Sequence, residues 1–499
     1  MSSIPELFTV QNLQCVLVVV GATLSFLCVT LFQKSKRAGL SHIPGPFIAR
    51  YTNLWAVYVT WKTDREDNRV SLNRTLQERY GDVIRTGPRN VSVTDPAAIP
   101  VIYGVRSRLD KGHAYVPFRQ AGVTTSLLSI PDETTHSKYR KLVSNAYSLS
   151  SIKAYEPYVD EMINRLVHVC NEHAKTGTPM NLSLWCHYYC FDVVAKITMG
   201  DTLGFLEGRD AYSLIKSVKA FGAYTGVVSQ MPWLHKIFQD NPLMRKTKPS
   251  PFMKVVQKTV ESRLEKPDVE SRSRPDLLAH FIATHQNNPE MDRLQVLITT
   301  SGNLIAGGLS PGKTFNEICY FLAANVQAQD TLLYELKEAR CTHLASYEEL
   351  KQLGFLEGVI KEALRLHSST SFNLQRNTGP NRLELPNGIH IPPYTNIGCP
   401  AGAINQDVRV FGEDAHIYRP ERWQQAKDES QEAYIERRKI MERTELSFGQ
   451  GSRTCIGKNI ALMEMFKAVA TLMGQFKFEP VGTPAKDKVI VKVHRRDRA

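Results

Sequence analysis

The chain has 499 residues, of which 42% are hydrophobic, 9% aromatic and 22% charged. This composition excludes a disordered protein and supplies material for a large core, and the length allows about three domains or one unusually large domain. The net charge of +13 leaves nucleic acid, an anionic membrane surface or an acidic protein as partners. The nine cysteines are odd in number and scattered, which argues against a secreted disulfide framework.

The N-terminal part of the chain contains a candidate membrane anchor. Leu13 to Phe32 contains no charged residue, and a helix of about 20 apolar residues crosses the hydrocarbon core of a bilayer. Lys34, Lys36 and Arg37 follow, so the positive-inside rule places the downstream chain in the cytosol. A cleaved signal peptide is the alternative, but its apolar segment would be shorter and would follow a basic start.

This pattern predicts four segments: a short lumenal N-terminus (1–12), a transmembrane signal anchor (13–32), a basic and proline-rich hinge (33–46) and a single cytosolic catalytic domain (47–499). The hinge is inferred from Ile43-Pro44-Gly45-Pro46, because paired prolines forbid helix continuation.

The remaining chain is predicted to be mainly α with small β-sheets. Tyr80 to Asp95 alternates and turns at Gly87-Pro88, which predicts a two-stranded hairpin. Alternating valines at the C-terminal end predict a final strand, and the charged stretch Gln424 to Arg443 is expected to be a surface meander or loop. Helical periodicity recurs in six segments: Tyr158–Cys170, Leu184–Met199, Leu294–Ala306, Glu317–Ala324, Gln329–Ala339 and Phe355–Leu366.

One cysteine, Cys455, stands in a glycine-rich loop, FGQGSRTCIG, just before a helix-forming stretch from Asn459 to Met473. At a helix start, free N–H groups and the helix dipole lower the pKa of a thiol and prepare it as a nucleophile or metal ligand. Gly449 and Gly451 permit a tight loop, and Gly457 removes a side chain where the helix would approach a planar ligand. A buried structural cysteine is the alternative.

This loop resembles the haem-binding loop of the cytochrome P450 superfamily at every defining position: Phe448, Gly451, Arg453, Cys455 and Gly457. The resemblance extends over nearly the whole chain. Glu362-Ala363-Leu364-Arg365 is similar to the family's ExxR motif, and Pro420-Glu421-Arg422-Trp423 to its PERF-type motif. Glu362 and Arg365 lie three residues apart on a helix, where they can form a buried ion triad with Arg422.

The resemblance implies haem b as the cofactor, with Cys455 as the axial ligand of its iron. Arg140 aligns with the arginine of the family's WxxxR motif, and His136 replaces the tryptophan but can still donate an N–H to a propionate. Arginine pairs with carboxylates bidentately, so Arg140, Arg376 and Arg453 are expected to oppose the two propionates. The implied cofactor-binding residues are Phe448, Arg453, Arg140, Arg376, His136, Gly457, Ala306 and Gly307.

The family's chemistry inserts one atom of the co-substrate O2 into a substrate, and membrane-bound members receive electrons from NADPH-cytochrome P450 reductase. The resemblance is strongest to fungal microsomal members such as pisatin demethylase, in Tyr80 to Tyr103 and Trp185 to Gly208. It implies a single-pass protein of the endoplasmic reticulum membrane that acts on a small apolar substrate in fungal secondary metabolism. The excess of lysine and arginine is consistent with membrane lipid and an acidic reductase as partners, and nucleic acid is no longer expected as a partner.

The central helix departs from the family pattern at the site of proton delivery. An acid and a threonine are expected in A-G-x-[DE]-T, but the chain has Leu309 and Ser310. Ser310 is the remaining candidate for proton delivery, and Pro311-Gly312 should break or kink the helix. Three interpretations remain open: a monooxygenase that receives its proton from water or substrate, an isomerase or dehydratase that needs no reductase, and a haem-binding protein without activity. An error in the gene model would look the same.

Three weaker signals accompany these motifs. Gly307 to Thr314 fits the phosphate-binding pattern GxxxxGK[ST], but no downstream strand ends in a magnesium-binding aspartate. Cys186-His187 and Cys190 have a zinc-like spacing without a second ligand pair, which favours helical core positions. The loop with His113, Tyr115 and Phe118 would face the distal pocket by family analogy.

Overall fold

The structure is a computed structural model and is mainly helical with small sheets. It describes residues 10–66, 69–119, 126–210, 213–239, 241, 243, 250–265, 275–341, 343–368, 373–483 and 488–496.

The described helices are α1 (Val10–Arg37), α2 (Leu54–Glu66), α3 (Arg69–Tyr80), α4 (Ile99–Tyr103), α5 (Glu133–Val143), α6 (Leu149–Thr176), α7 (Leu182–Met199), α8 (Leu214–Val228), α9 (Trp233–Phe238), α10 (Pro251–Glu265), α11 (Leu277–Asn287), α12 (Arg293–Ala324), α13 (Val326–Glu338), α14 (Tyr347–Leu350), α15 (Gly354–Leu366), α16 (Ala401–Ile404), α17 (Val408–Phe411), α18 (Gln431–Thr444) and α19 (Lys458–Gln475). The strands are β1 (Val83–Gly87), β2 (Asn90–Val93), β3 (Asp110–Lys111), β4 (Met180–Asn181), β5 (Arg376–Asn377), β6 (Leu383–Glu384), β7 (His390–Ile391), β8 (Asn396–Gly398), β9 (Phe476–Pro480) and β10 (Ile490–Arg495).

The strands form three small sheets. The largest has the order β1-β2-β8-β5-β3, the second β4-β10-β9, and the third pairs β6 with β7. The predicted hairpin is confirmed, because β1 pairs antiparallel with β2 and Val83 lies opposite Val93. In the same sheet Lys111 of β3 lies opposite Arg376 of β5, a register that brings two cations to one point.

The main core lies among α6, α7, α12, α15 and α19, which bury their apolar faces in one cluster. Side-chain caps fix where these helices begin: the Asn181 side chain accepts the N–H of Leu184 at 3.2 Å, and Asp292 accepts that of Gln295 at 2.7 Å. Cys186 and Cys190 of α7 are buried in this cluster, and the Sγ of Cys186 lies 3.8 Å from that of Cys319 on α12.

The segment expected to be a hinge is packed into the catalytic body. The apolar helix α1 continues to Arg37, and Ala38, Leu40 and Ile43 are at most 2% exposed in a second core cluster with the large sheet. Residues 33–46 are therefore not a free hinge: α1 ends at Arg37, two residues before Gly39 with φ +70°, and the chain that follows is held by burial. Within the described residues, α1 is the one helix long and apolar enough to span a membrane, over Gln14–Arg37.

Arg85 of β1 fastens this segment to the sheet. Its side chain is 1% exposed, and its guanidinium donates to the carbonyl oxygens of Ser35, Leu40, Arg50 and Pro88 at 2.9–3.5 Å. It also donates to the Ser35 hydroxyl at 3.3 Å. One of the terminal carbonyls of α1 is thus capped by a side chain from the sheet.

The sequence predicted a break or a kink at Pro311, and the central helix does not break there. α12 runs without interruption from Arg293 to Ala324 because α7 is packed tightly along it. A Cβ at Gly308 would lie 2.1 Å from Phe191, and one at Gly312 would lie 2.5 Å from His187. The glycines of the phosphate-loop pattern therefore admit a neighbouring helix, and a continuous helix offers no loop to surround phosphates.

The charged stretch Gln424 to Arg443 was expected to be a meander or loop, and this expectation is wrong. Most of it forms α18, whose N-cap Ser430 accepts the N–H of Ala433 at 3.2 Å. Arg437 pairs with Glu429 at 2.7 Å, and Arg438 pairs with Glu442 one turn away at 3.1 Å. Local ion pairs and a cap thus support a helix whose apolar periodicity is weak.

Candidate active site

The cysteine loop is held in shape by its glycines and one backbone hydrogen bond. The N–H of Cys455 donates to the carbonyl of Phe448 at 2.8 Å. Gly451 has φ +70°, and a Cβ there would lie 1.8 Å from the carbonyl oxygen of Tyr103, so no larger residue fits. Cys455 is exposed, and a Cβ at Gly457 would meet nothing within 4 Å. The loop therefore leaves open space beside the thiol.

The electrostatics of Cys455 combine two opposing effects. Although the Cys455 side chain borders open space, protein surrounds that space on most sides, and this desolvation raises the pKa of the thiol, while backbone N–H groups of Gly457 and Lys458 and the Arg140 guanidinium lower it. The helix start therefore acts in the predicted direction, but desolvation outweighs it, so the expectation of a net lowered pKa is wrong for the protein alone. A bound cation at the sulfur would favour the thiolate further.

Four cationic side chains converge near this loop from four different elements: Lys111 of β3, Arg140 of α5, Arg376 of β5 and Arg453 of the loop itself. Lys111, Arg376 and Arg453 have side chains at most 8% exposed. Burial, then Arg453 and Arg376, hold the pKa of Lys111 well below its usual range. The site thus concentrates positive charge where little water can screen it.

His136 lies within the same cluster and lacks a hydrogen bond at one nitrogen. It is 2% exposed, and its buried Nδ1 has no partner among the described residues. The nearest acid is Glu133, whose Oε2 is 3.9 Å from Nδ1. Burial first, and then Arg453 and Lys111, lower the pKa of His136 to about 3, so the ring is neutral at physiological pH.

The arginines differ in how many of their N–H donors already bond to protein atoms. Arg453 donates to Glu133 at 2.6 Å and to the carbonyls of Ile130 and Pro131 at 2.9 and 2.6 Å. Arg140 donates to the carbonyl of Thr454 at 2.7 Å. The carboxylate that Arg453 was expected to find is thus a protein side chain, Glu133, which leaves fewer of its donors for a propionate.

Arg376 makes only neutral contacts. It donates to the carbonyl of Gln375 at 3.1 Å, and its guanidinium lies 4.9 Å from the ring centroid of Tyr103. Its neighbour across the strands is another cation, Lys111. The charge of Arg376 is therefore the one in the cluster least neutralised by acidic side chains.

These residues fit a planar dianionic group such as haem. The four cations face two carboxylates in the described chain, Glu133 and Asp110, so the cluster has excess positive charge. An unpartnered buried nitrogen at His136 supplies a further donor, and two propionates would neutralise the excess. Haem b fits the donor set, with Cys455 as the available thiol.

The ion triad predicted from the ExxR and PERF-type motifs is present. Arg365 donates to both carboxylate oxygens of Glu362, at 2.8 and 2.6 Å, and Arg422 donates to Oε1 at 3.1 Å. All three side chains are at most 3% exposed. The indole N–H of Trp423 completes the set at 2.9 Å from Oε2, so the carboxylate is satisfied from several sides.

The site-facing side of α12 is defined by its contacts with α5 and the turn after it. The hydroxyl groups of Tyr139 and Thr299 are hydrogen-bonded, and Tyr147 donates to Asn303 Oδ1 at 2.7 Å. One turn further along this face Ala306 is exposed. Because the helix is continuous, Ala306 lies on the side of α12 that faces α5, the helix that contains Arg140.

Gly307 packs closely against α7, because a Cβ there would lie 2.4 Å from Cγ2 of Val194. Its contact with the cofactor stays a prediction. Ser310, the candidate for proton delivery, is half-buried beside Gly307.

Of the distal loop residues, Phe118 lies 6.0 Å from Phe221 between ring centroids, and Tyr115 lies 6.3 Å from Phe118. His113 is exposed, and its Nδ1 lies 3.3 Å from Nδ2 of Asn396 on β8. The two aromatic residues extend towards α8, and the histidine contacts the sheet.

Sequence reasoning missed Lys111, Glu133 and Trp423. Lys111 is brought to the cluster by the strand register, which no local sequence pattern predicts. Glu133 stands three residues before His136 on α5, so the helical spacing could have suggested it as a partner. Trp423 directly follows Arg422, and its buried N–H requires an acceptor.

Comparisons with known proteins agree with this geometry. The sequence profile described as Cytochrome P450 matches residues 49–493. The chain is 30% identical to cytochrome P450 monooxygenase cicH of Emericella nidulans over 454 residues, which cover 88% of each chain. It is 31% identical to a cytochrome P450 monooxygenase of Aspergillus flavus over 463 residues, covering 89% of this chain and 88% of the other. The thiol loop, the buried ion triad and these matches lead to one conclusion: the chain belongs to the cytochrome P450 family.

Proposed function

We propose that the protein is a haem-thiolate monooxygenase that inserts one oxygen atom from O2 into a small apolar substrate in fungal secondary metabolism. The single observation that carries this proposal is the open Cys455 thiol beside a buried cluster of uncompensated cations. The fungal relatives, named as monooxygenases, favour it over a haem-binding protein without activity.

The residues would divide the work of holding the cofactor. Cys455 would ligand the iron, and Arg140, Arg376, Lys111 and His136 would hold the propionates. When bound, a haem with a thiolate ligand supplies the oxidising chemistry, because the sulfur donates electron density that favours O–O cleavage. Glu133 would keep Arg453 in place beneath the loop, 2.6 Å from its Nε.

The substrate side of the site is predicted to be apolar. Tyr115, Phe118 and Phe221 form an aromatic row between the distal loop and α8. Aromatic surface with few charges selects apolar molecules and excludes water from the reacting atoms. Ser310 is left to position a proton donor beside the oxygen.

We further propose that the protein is anchored once in the endoplasmic reticulum membrane and receives electrons from NADPH-cytochrome P450 reductase. The most apolar stretch of α1 contains no buried residue, and the helix ends in Lys34, Lys36 and Arg37, a distribution typical of a signal anchor with a cytosolic body. The net charge of +13 fits an acidic reductase and an anionic membrane surface.

The test begins with the spectrum of the reduced carbon-monoxide complex of the full-length protein, in which a thiolate-ligated haem has a characteristic Soret band. Purified reductase, NADPH, isotopically labelled O2 and naphthalene as an apolar probe are then combined, and labelled product and peroxide are measured. One labelled oxygen in the product supports the proposal. Absence of the thiolate band overturns it, and conversion of an oxygenated lipid without NADPH would instead support an isomerase or dehydratase, the alternative that Leu309 favours.

A further inference from the structure

A row of polar side chains continues along the site-facing side of α12 beyond Ser310. Ala306, Ser310 and Lys313 follow one another at helical spacing on this side. Ala306 and Lys313 are exposed and Ser310 is half-buried, whereas Gly308 and Gly312 face α7. The unbroken course of the helix through Pro311 is what keeps Ser310 and Lys313 on one face.

The row leads to a buried acid. Glu317, one turn beyond Lys313, is 2% exposed, and its Oε2 lies 3.9 Å from Nδ1 of His367 at the end of α15. The His367 side chain is 22% exposed, which gives this end of the row access to solvent. Helical residues three and four apart have Cβ atoms about 5–6 Å apart, so Ser310, Lys313 and Glu317 are successive neighbours.

The position next to Ser310 cannot transfer a proton. Leu309 is 38% exposed and has no ionisable group. In the described part of the chain, no hydrogen bond or ion pair engages the Ser310 hydroxyl or the Lys313 ammonium, so both remain available to the site. Lys313 is therefore the ionisable side chain on this face that stands nearest in sequence to the hydroxyl.

Pro311 adds an acceptor at the same place. It has no N–H and cannot donate to the carbonyl of Gly307, four residues earlier, as other helical residues do. A carbonyl freed in this way can hold a water molecule beside the helix. Gly307 stands three residues before Ser310 on the helix, about one turn away.

We propose that His367, Glu317, Lys313 and Ser310 form a proton relay that replaces the missing acid, an inference that rests on the proposed monooxygenase function. The Lys313 ammonium gives a proton to the Ser310 oxygen, with or without the water, as the hydroxyl gives its own proton to the oxygen substrate. The neutral amine takes a proton from the Glu317 carboxyl group, and Glu317 recovers one from His367, which is reprotonated by solvent. One proton enters from solvent for each proton delivered.

The relay is tested with variants that separate charge from proton transfer. Lys313→Met removes both, whereas Lys313→Arg keeps the positive charge, but arginine does not release its proton in proteins. Glu317→Gln removes the acid and keeps the shape. Lys337→Met changes an exposed lysine of α13, away from the row, and serves as the matched control.

The first measurement is the infrared C–O stretching frequency of the reduced carbon-monoxide complex, which depends on charge beside the ligand and requires no turnover. Lys313→Met should shift it to higher frequency, while Lys313→Arg and Lys337→Met should leave it near the wild-type value. An unshifted frequency in Lys313→Met would mean that the lysine does not face the ligand and would overturn the relay. If Lys313→Met fails to bind haem, Lys313→Arg still tests proton transfer through the second measurement.

The second measurement is the yield of oxidised naphthalene per NADPH, together with peroxide release. Loss of a general acid costs about 100-fold, so Lys313→Met, Lys313→Arg and Glu317→Gln should lose yield by about that factor and release peroxide. Wild-type yield in Lys313→Arg or in Glu317→Gln would overturn the relay. Glu464 of α19 is another buried acid, 2% exposed. Loss of yield in Glu464→Gln with normal yield in Glu317→Gln would point to that acid instead and would also overturn the relay. A wild-type protein without the thiolate band or product would instead refute the proposed function itself.

Discussion

Gly302 and Gly308 lie on the same helix, α12, and replacing each with alanine should change stability in opposite directions. A Cβ at Gly308 would lie 2.1 Å from Cδ1 of Phe191, whereas one at Gly302 would meet nothing within 4 Å. Phe191 is 1% exposed and stacks on Phe205 with ring centroids 5.2 Å apart. An ordinary carbon contact would require the Phe191 ring to retreat by about 1.5 Å, and its packing leaves no room for that movement.

Two free-energy terms determine how much each substitution changes the free energy of unfolding. Alanine is favoured over glycine within a helix by about 1 kcal/mol, and overpacking a core costs about 1–3 kcal/mol. Gly302→Ala should therefore raise the free energy of unfolding by up to about 1 kcal/mol, and Gly308→Ala should lower it by up to about 2 kcal/mol. Thermal unfolding of both haem-loaded variants, followed by far-ultraviolet circular dichroism at one scan rate, measures the difference. A Gly308→Ala protein as stable as Gly302→Ala would refute the close packing of α7 on α12.

Three further predictions concern the cofactor site and its support. Cys455→Ala should lose the thiolate-type Soret band of the reduced carbon-monoxide complex, while Cys341→Ala retains it; survival of the band in the first variant would exclude Cys455 as the ligand. Glu362→Gln leaves the buried Arg365 without a carboxylate and Arg422 with Asp414 alone, and it should cost about 3–5 kcal/mol. The loss should be seen as a lower thermal midpoint and a poor yield of haem-loaded protein, and an unchanged midpoint would contradict the buried triad. Lys111→Met should speed haem loss to apomyoglobin by about 10- to 100-fold, because a charged hydrogen bond contributes about 1.5–3 kcal/mol, whereas Lys141→Met on the exposed side of α5 should not.

The sequence predicted the site best where function depends on short, fixed spacings. The loop around Cys455 and the Glu362–Arg365 pair were found from local motifs, because a tight turn and one helical turn determine their geometry. The departures came from tertiary packing. Pro311 was expected to break or kink its helix, but the helix continues past it beside a closely packed neighbour. Lys111 reaches the cationic cluster only through a strand register between distant segments.

Two other differences have local causes that apolar periodicity does not detect. α18 is supported by the Ser430 cap and by ion pairs such as Arg438–Glu442, so a search for an apolar stripe overlooks it. Gly307 lies next to the exposed Ala306 but faces α7, because adjacent helical residues point about 100° apart.

The capping of α1 by Arg85 sets where the chain can be cut to obtain a soluble enzyme. Removal of residues up to Lys34 would delete the apolar span and keep Ser35, Leu40 and Ile43 in their places. A cut at the prolines would instead remove two large core side chains, each worth about 1.5–3 kcal/mol of burial, and would leave the Arg85 guanidinium facing vacated carbonyl positions. The part of the chain that packs into the body therefore begins at Ser35, about ten residues earlier than the prolines suggest.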